Sequence, residues 1–117
     1  MNYLLLIYSN EAEVMALGEA GLKRMMDEYT DFTKSIVKTG HFKAGDRLKP
    51  VSTASTVRIR NGKTAITDGP FAETREQLGG YYLIEAQNLD EATAIAARIP
   101  GAKIGSIEVR PVYPPMG

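Results

Sequence analysis

Residues 3–8, Tyr-Leu-Leu-Leu-Ile-Tyr, are apolar at every position. A strand with one wet face alternates apolar and polar residues with a period of two. This run does not alternate, so both of its faces must be covered. Tyr81-Tyr82-Leu83-Ile84 has the same character. Two such strands require a sheet in which both are central, which leaves little freedom for the remaining elements. The first run has no basic residue ahead of it and gives way to Ser9, Asn10 and Glu11. It is therefore read as a buried strand, not a signal peptide or a membrane span.

The rest of the chain supplies what such a sheet needs. Ser9 or Asn10 can cap a following helix, with Glu11 and Glu13 placed to complement its N-terminal dipole. Leu22, Met25, Met26, Tyr29, Phe32, Thr33, Ile36 and Val37 recur at helical spacing, and Gly40 is a C-terminal stop. A weaker edge strand is expected from His41 to Lys49, closed by Pro50. Thr56 to Arg60 alternates, Asn61-Gly62 is a two-residue turn signal, and Lys63 to Thr67 returns. This predicts a β-hairpin inserted into, or extending, the main sheet. Asn88 with Glu91 resembles a capping box ahead of a second helix carrying Ala92, Ile95, Ala96 and Ile99, ended by Pro100-Gly101. Ile104 to Arg110 makes a last strand. One domain is expected over residues 1–112, with an extended tail over 113–117 containing Pro114 and Pro115.

Setting the hairpin aside, the order is βαββαβ, an α+β ferredoxin-like arrangement whose first and third main strands are central. Those are the two strands that are apolar on both faces. Two helices cover only one face of a sheet, yet Leu4, Leu6 and Tyr8 alternate with Tyr3, Leu5 and Ile7. The uncovered face would be a large exposed apolar patch. The expectation is a homodimer joined through the open sheet faces, a dimeric α+β barrel. The rival is a hairpin folded across that face within one chain.

Composition narrows the chemistry. The 117 residues carry 14 basic and 14 acidic side chains, so no whole-chain field draws in nucleic acid or an anionic membrane. Neither is an expected partner. The chain has no cysteine, which removes disulfides, thiolate nucleophiles and cysteine-based zinc sites, and fits a cytoplasmic location. His41 is the sole histidine and makes a poor transition-metal site by itself. Its pairing with Asp46 as a base is disfavoured because the two fall on opposite faces of an extended strand. A surface or capping role is preferred. No phosphate-binding loop, dinucleotide fingerprint or nucleophile elbow is present, so no cofactor or metal is expected.

The densest run of functional groups is Asp68 to Gly80. Asp68 ends a strand, Gly69-Pro70 turns the chain, and Phe71 could anchor the turn in the core. Glu73, Thr74, Arg75, Glu76 and Gln77 then offer carboxylates, a hydroxyl, a guanidinium and an amide. Asp68 and Glu73 are the candidate catalytic proton acceptors, useful as bases only if burial raises their pKa. Asp68, Phe71, Glu73, Thr74 and Arg47 are the candidate ligand contacts, with Arg47 pairing either with an acidic ligand or with Asp68 or Glu73. Arg58, Arg60 and Lys63 form a basic hairpin face, read as solvated.

Thr67-Asp68-Gly69-Pro70-Phe71-Ala72-Glu73-Thr74-Arg75-Glu76-Gln77-Leu78-Gly79-Gly80-Tyr81-Tyr82 closely resembles the signature of the DGPF proteins, a branch of the YCII-related family. The resemblance extends to residues 3–8, to Thr53-Ala54-Ser55-Thr56-Val57-Arg58 and to Glu108-Val109-Arg110-Pro111, and so covers essentially the whole chain. It implies a ferredoxin-like fold and dimeric α+β barrels. Some members are fused to, or encoded beside, sigma factors of the extracytoplasmic-function type, which implies a non-catalytic module beside a transcription regulator as the alternative to a cofactor-free enzyme or binding protein for a small organic molecule. The wider family is credited with a His-Asp site whose histidine lies in the first helix. Leu22 to Lys38 holds no histidine, so that mechanism does not transfer.

Overall fold

The computed structural model describes residues 1–116. The two doubly apolar segments become adjacent central strands. Strand β1 (Asn2–Ser9) pairs antiparallel with β5 (Gln77–Glu85), Leu5 facing Tyr82 and Tyr3 facing Ile84. Strand β2 (Phe42–Arg47) flanks β5 and β6 (Ser106–Pro111) flanks β1, giving the order β2-β5-β1-β6. This is the ferredoxin-like order.

Helices α2 (Gly18–Lys38) and α3 (Leu89–Ala96) cover one face. The core between them holds Tyr3, Leu5, Ile7, Tyr82 and Ile84 from the sheet and Phe32, Ile36, Ala92 and Ile95 from the helices. Leu5, Ile36, Ile84 and Ile99 are almost wholly shielded from solvent. Burial of each stabilises the fold by about 1.5–3 kcal/mol. On the other face, Leu4, Leu6, Tyr8, Tyr81 and Leu83 are only partly shielded, and that by neighbouring strands.

The first helical stretch is not one helix. Asn10 caps α1 (Glu11–Met15), its Oδ1 accepting from Glu13 N–H at 3.0 Å. The chain then turns and restarts as α2 at Gly18, whose φ of +74° is left-handed. That backbone suits glycine and breaks the helical run. Helix α3 is shorter than the apolar spacing predicts. Its end tightens into i→i+3 bonds, Ile99 N–H to Ala96 O at 3.1 Å, and passes into a 3₁₀ turn over Pro100–Lys103.

The hairpin is inserted between β2 and β5 but does not extend the main sheet. Strands β3 (Ser55–Arg60) and β4 (Lys63–Asp68) form a separate two-stranded sheet around Asn61-Gly62, both residues at positive φ. All of it is exposed except Thr56, which is half-buried. The hairpin is an arm that leaves the body. The radius of gyration is 16.2 Å, against about 13 Å for a compact domain of this length. The arm therefore does not fold across the open sheet face, and that rival explanation fails. The tail expected over 113–117 is irregular through Met116; Gly117 lies outside the described residues.

Candidate functional site

Side chains on β2 alternate, with a bulge between Phe42 and Ala44. Gly45 and Arg47 oppose Tyr82 and Gly80 on the helix side, while Asp46 opposes Tyr81 on the open face. A gap opens on the helix side, where α2 passes over the ends of β1, β5 and β2. It is a groove of about 550 Å³, well within the size range of small-molecule sites. Its walls are Met25, Met26, Tyr29 and Thr33 from α2. Tyr82 and Gly45 form the floor, and Val14 and Met15 of α1 stand at one end.

Aromatic packing fixes Tyr82. Its ring meets Phe32 at 5.2 Å and Phe42 at 6.3 Å, both edge-to-face. A Cβ on Gly45 would lie 2.8 Å from the Tyr82 ring, so only glycine lets the ring lie flat on β2 there. The hydroxyls form a directed chain. Thr33 Oγ1 donates its one proton to the Tyr29 carbonyl at 2.9 Å. It also lies 2.6 Å from Tyr82 Oη, so the Tyr82 hydroxyl is the donor in that pair. Tyr29 differs. Its Oη accepts from Gly101 N–H at 3.2 Å, and its own proton has no acceptor among the described residues at a groove that Tyr29 lines. Burial raises the Tyr29 pKa above 10.0, only partly opposed by the Gly101 N–H and the Arg47 charge. Tyr29 is thus a neutral phenol at ordinary pH, a donor and not a base. Burial likewise raises the Tyr82 pKa above 10.0.

The charged groups around the groove are unequally occupied. Glu11 Oε2 accepts from Val51 N–H at 3.0 Å. Asp46 Oδ2 accepts from Tyr81 Oη at 2.6 Å on the opposite side of the sheet; this hydrogen bond raises the Tyr81 pKa. Lys34 and Arg47 also line the groove, and neither has a carboxylate at ion-pair distance among the described residues.

Of the residues singled out in the sequence, Arg47 lines this groove. It forms no ion pair with Asp68 or Glu73. Asp68 ends the exposed arm, and Glu73 and Thr74 lie in the exposed return to β5. Phe71 is 78% exposed, so it does not anchor the turn in the core. The second half of the run is docked to the body. Asn10 Nδ2 donates to Arg75 O at 3.2 Å, Ser106 Oγ donates to Glu76 Oε1 at 2.8 Å, and Gln77 Oε1 accepts from Glu11 N–H at 2.9 Å. The arm's two roots, Val51 and Gln77, are therefore both held by Glu11. His41 has a capping and surface place: Nδ1 lies 2.7 Å from Thr39 Oγ1 and Nε2 lies 3.3 Å from Glu91 Oε1. Among the described residues no cluster of three acidic, histidine or cysteine side chains could hold a metal.

Sequence reasoning placed Tyr29 and Thr33 on the apolar stripe and Tyr82 in the central strand, and missed their joint role. A signal existed. Tyr29 and Thr33 sit four apart on one helix face, where their polar ends would need partners if buried.

The YCII-related domain family matches residues 1–115. An uncharacterized protein of Rhizobium meliloti (strain 1021) is 39% identical over 114 residues, covering 96% of this chain and 92% of that one. Among solved structures, the 5-chloro-2-hydroxyhydroquinone dehydrochlorinase (TftG) of Burkholderia phenoliruptrix AC1100, in complex with 2,5-dihydroxybenzoquinone, is similar with a TM-score of 0.52. The alignment is 13% identical and covers 97% of this chain and 94% of that chain. At that identity the likeness is one of fold.

Proposed function

The chain belongs to the YCII-related family, and we propose that it binds or transforms a small organic molecule in the groove between α2 and the sheet, by acid–base chemistry without an external cofactor. The observation that carries this reading is the Tyr29 hydroxyl. It is half-buried, accepts from Gly101 N–H at 3.2 Å and has no acceptor for its own proton among the described residues, beside a largely apolar groove. A phenol so placed can hand a proton to a substrate oxygen or carbon. The similar dehydrochlorinase holds a small quinone on the same fold, which supports this class of occupant by analogy. A groove of this volume, lined largely by apolar side chains, supports this reading over a regulator-associated module.

Three of the five methionines, Met15, Met25 and Met26, line the groove and serve as reporters. With methyl-labelled methionine, titration with small aromatic compounds should shift Met25 and Met26 and leave Met1 and Met116 unmoved. Filling the groove with Thr30→Trp should abolish the response. A compound set that never perturbs Met25 or Met26 would count against the proposal.

The assembly proposed with it is a homodimer through the open sheet face, closing a dimeric α+β barrel. Leu4, Leu6 and Leu83 lie side by side there, and the arm leaves them uncovered. Sedimentation at micromolar concentration should give twice the chain mass, and Leu6→Lys should shift it to the monomer. A wild-type monomer would end the dimer reading. The proposed ligand roles of Asp68, Phe71, Glu73 and Thr74 then need a second copy to bring one chain's arm to the other's groove. Asp68→Asn and Glu73→Gln should weaken probe binding with the fold intact; unchanged binding removes both carboxylates from the site.

A further inference from the structure

The groove's two carboxylates, Glu11 and Asp46, each have one oxygen hydrogen-bonded and keep their negative charge. Glu11 is bound to the root of the arm, and the Asp46 carboxylate is held by Tyr81 on the far side of the sheet. Also toward the groove are two cations, Arg47 and Lys34, and two hydroxyls with no acceptor among the described residues, those of Tyr29 and Ser9. The surrounding surface is thioether and aromatic, from Met25, Met26, Phe42 and Tyr82. Flat polarisable surfaces of this kind favour aromatic rings. Thr33 and Tyr82 satisfy each other and offer no further donor.

We infer that the groove selects a planar aromatic acid, whose anionic oxygens pair with the Arg47 guanidinium and whose ring lies among Met25, Met26, Phe42 and Tyr82, with Tyr29 Oη donating to one of its oxygens. A guanidinium matches a carboxylate in two-pronged geometry, and a charge-assisted hydrogen bond is about twice as strong as a neutral one. Arg47 and Tyr29 both line this groove, which presents the two groups to one occupant. This inference rests on the proposed groove function and adds the ligand's charge and shape.

The test compares 2-naphthoate with 2-naphthamide, which share a ring system and differ in charge. Binding is read from the Met25 and Met26 methyl signals of the intact protein. The naphthoate should bind about 10- to 100-fold more tightly, the range expected for one hydrogen-bonded charge. Arg47→Gln should remove that advantage and leave naphthamide binding unchanged. Arg47 is exposed, so this variant leaves the core untouched. Arg58→Gln, on the arm, should change nothing. Tyr29→Phe should weaken the naphthoate about five- to tenfold, with Met25 and Met26 still responding. Equal binding of the two probes, or an undiminished naphthoate preference in Arg47→Gln, overturns the inference while leaving the groove as a small-molecule site. Failure of both probes to perturb Met25 and Met26 overturns the inference and the underlying function together.

Discussion

A Cβ placed on Gly101 would lie 2.6 Å from Tyr29 Oη and 3.3 Å from Ile7 Cγ2. Gly101→Ala must therefore push the phenol away and break its 3.2 Å hydrogen bond from Gly101 N–H. The lost bond costs about 0.5–1.5 kcal/mol and the overpacking about 1–3 kcal/mol. Replacing glycine offsets about 0.4–1 kcal/mol by restricting the unfolded chain. The expected net loss is about 0.5–4 kcal/mol, centred near about 2 kcal/mol, a fall in Tm of several degrees for a domain this small. Tyr29→Phe alone leaves the Gly101 N–H without its acceptor, at about 1–2 kcal/mol. In the Tyr29→Phe background the nearest aromatic atom to the new methyl is the ring carbon, 3.8 Å away, so the clash disappears. There Gly101→Ala should fall within about 0.5 kcal/mol of neutral, because the entropic gain opposes only the Ile7 contact. A double-mutant cycle by urea unfolding, at one protein concentration, measures this coupling, expected at about 2 kcal/mol. Additive effects within about 0.5 kcal/mol would refute the contact and, with it, the orientation of the Tyr29 proton.

Three further outcomes are expected. Ile36 is fully buried, so Ile36→Ala should cost about 2–5 kcal/mol in denaturant unfolding; a smaller loss would mean the helix layer is loosely packed. Asn10→Ala removes both the α1 cap and the bond to Arg75 O. It should cost about 1 kcal/mol and speed amide exchange at Val51 and Gln77, whereas unchanged exchange would show that the arm's roots are held elsewhere. Burial raises the Tyr29 and Tyr82 phenols above 10.0 in the folded state. The unfolded chain therefore loses these protons first, and their stability contribution is complete below pH 10 and lost as pH rises through the higher folded values. Unfolding followed by tyrosinate absorbance should show this alkaline loss, and it should shrink in Tyr29→Phe; an identical pH profile in that variant would contradict the burial of Tyr29.

The sheet was legible in the sequence because period and burial are local properties. A run such as residues 3–8, apolar at every position, has no stable place except a sheet centre. The pairing of Asn61 with Gly62, and of Asn88 with Glu91, likewise fixes a turn and a cap through contacts spanning a few residues. The exposed arm was not legible, because β3 and β4 alternate as well as any strand that joins a sheet. Nothing in the alternation of Val57 and Ile59 says whether a second layer will meet them. The groove was hidden for a related reason. Asp68 to Gly80 is rich in functional groups along the chain, but Tyr29, Tyr82 and Gly101 are far apart in sequence and each looks ordinary alone; Arg47 stood out as a ligand contact, without its neighbours in the groove. The sequence by itself determined the strands, their central pair and the family. Only the tertiary structure decided that Gly101 N–H meets Tyr29, that Tyr82 rests on Gly45, and that Arg47 turns toward the helices while Asp46 turns away. Those contacts depend on long-range packing, and long-range packing sets which polar atoms are already satisfied and which remain to meet a ligand.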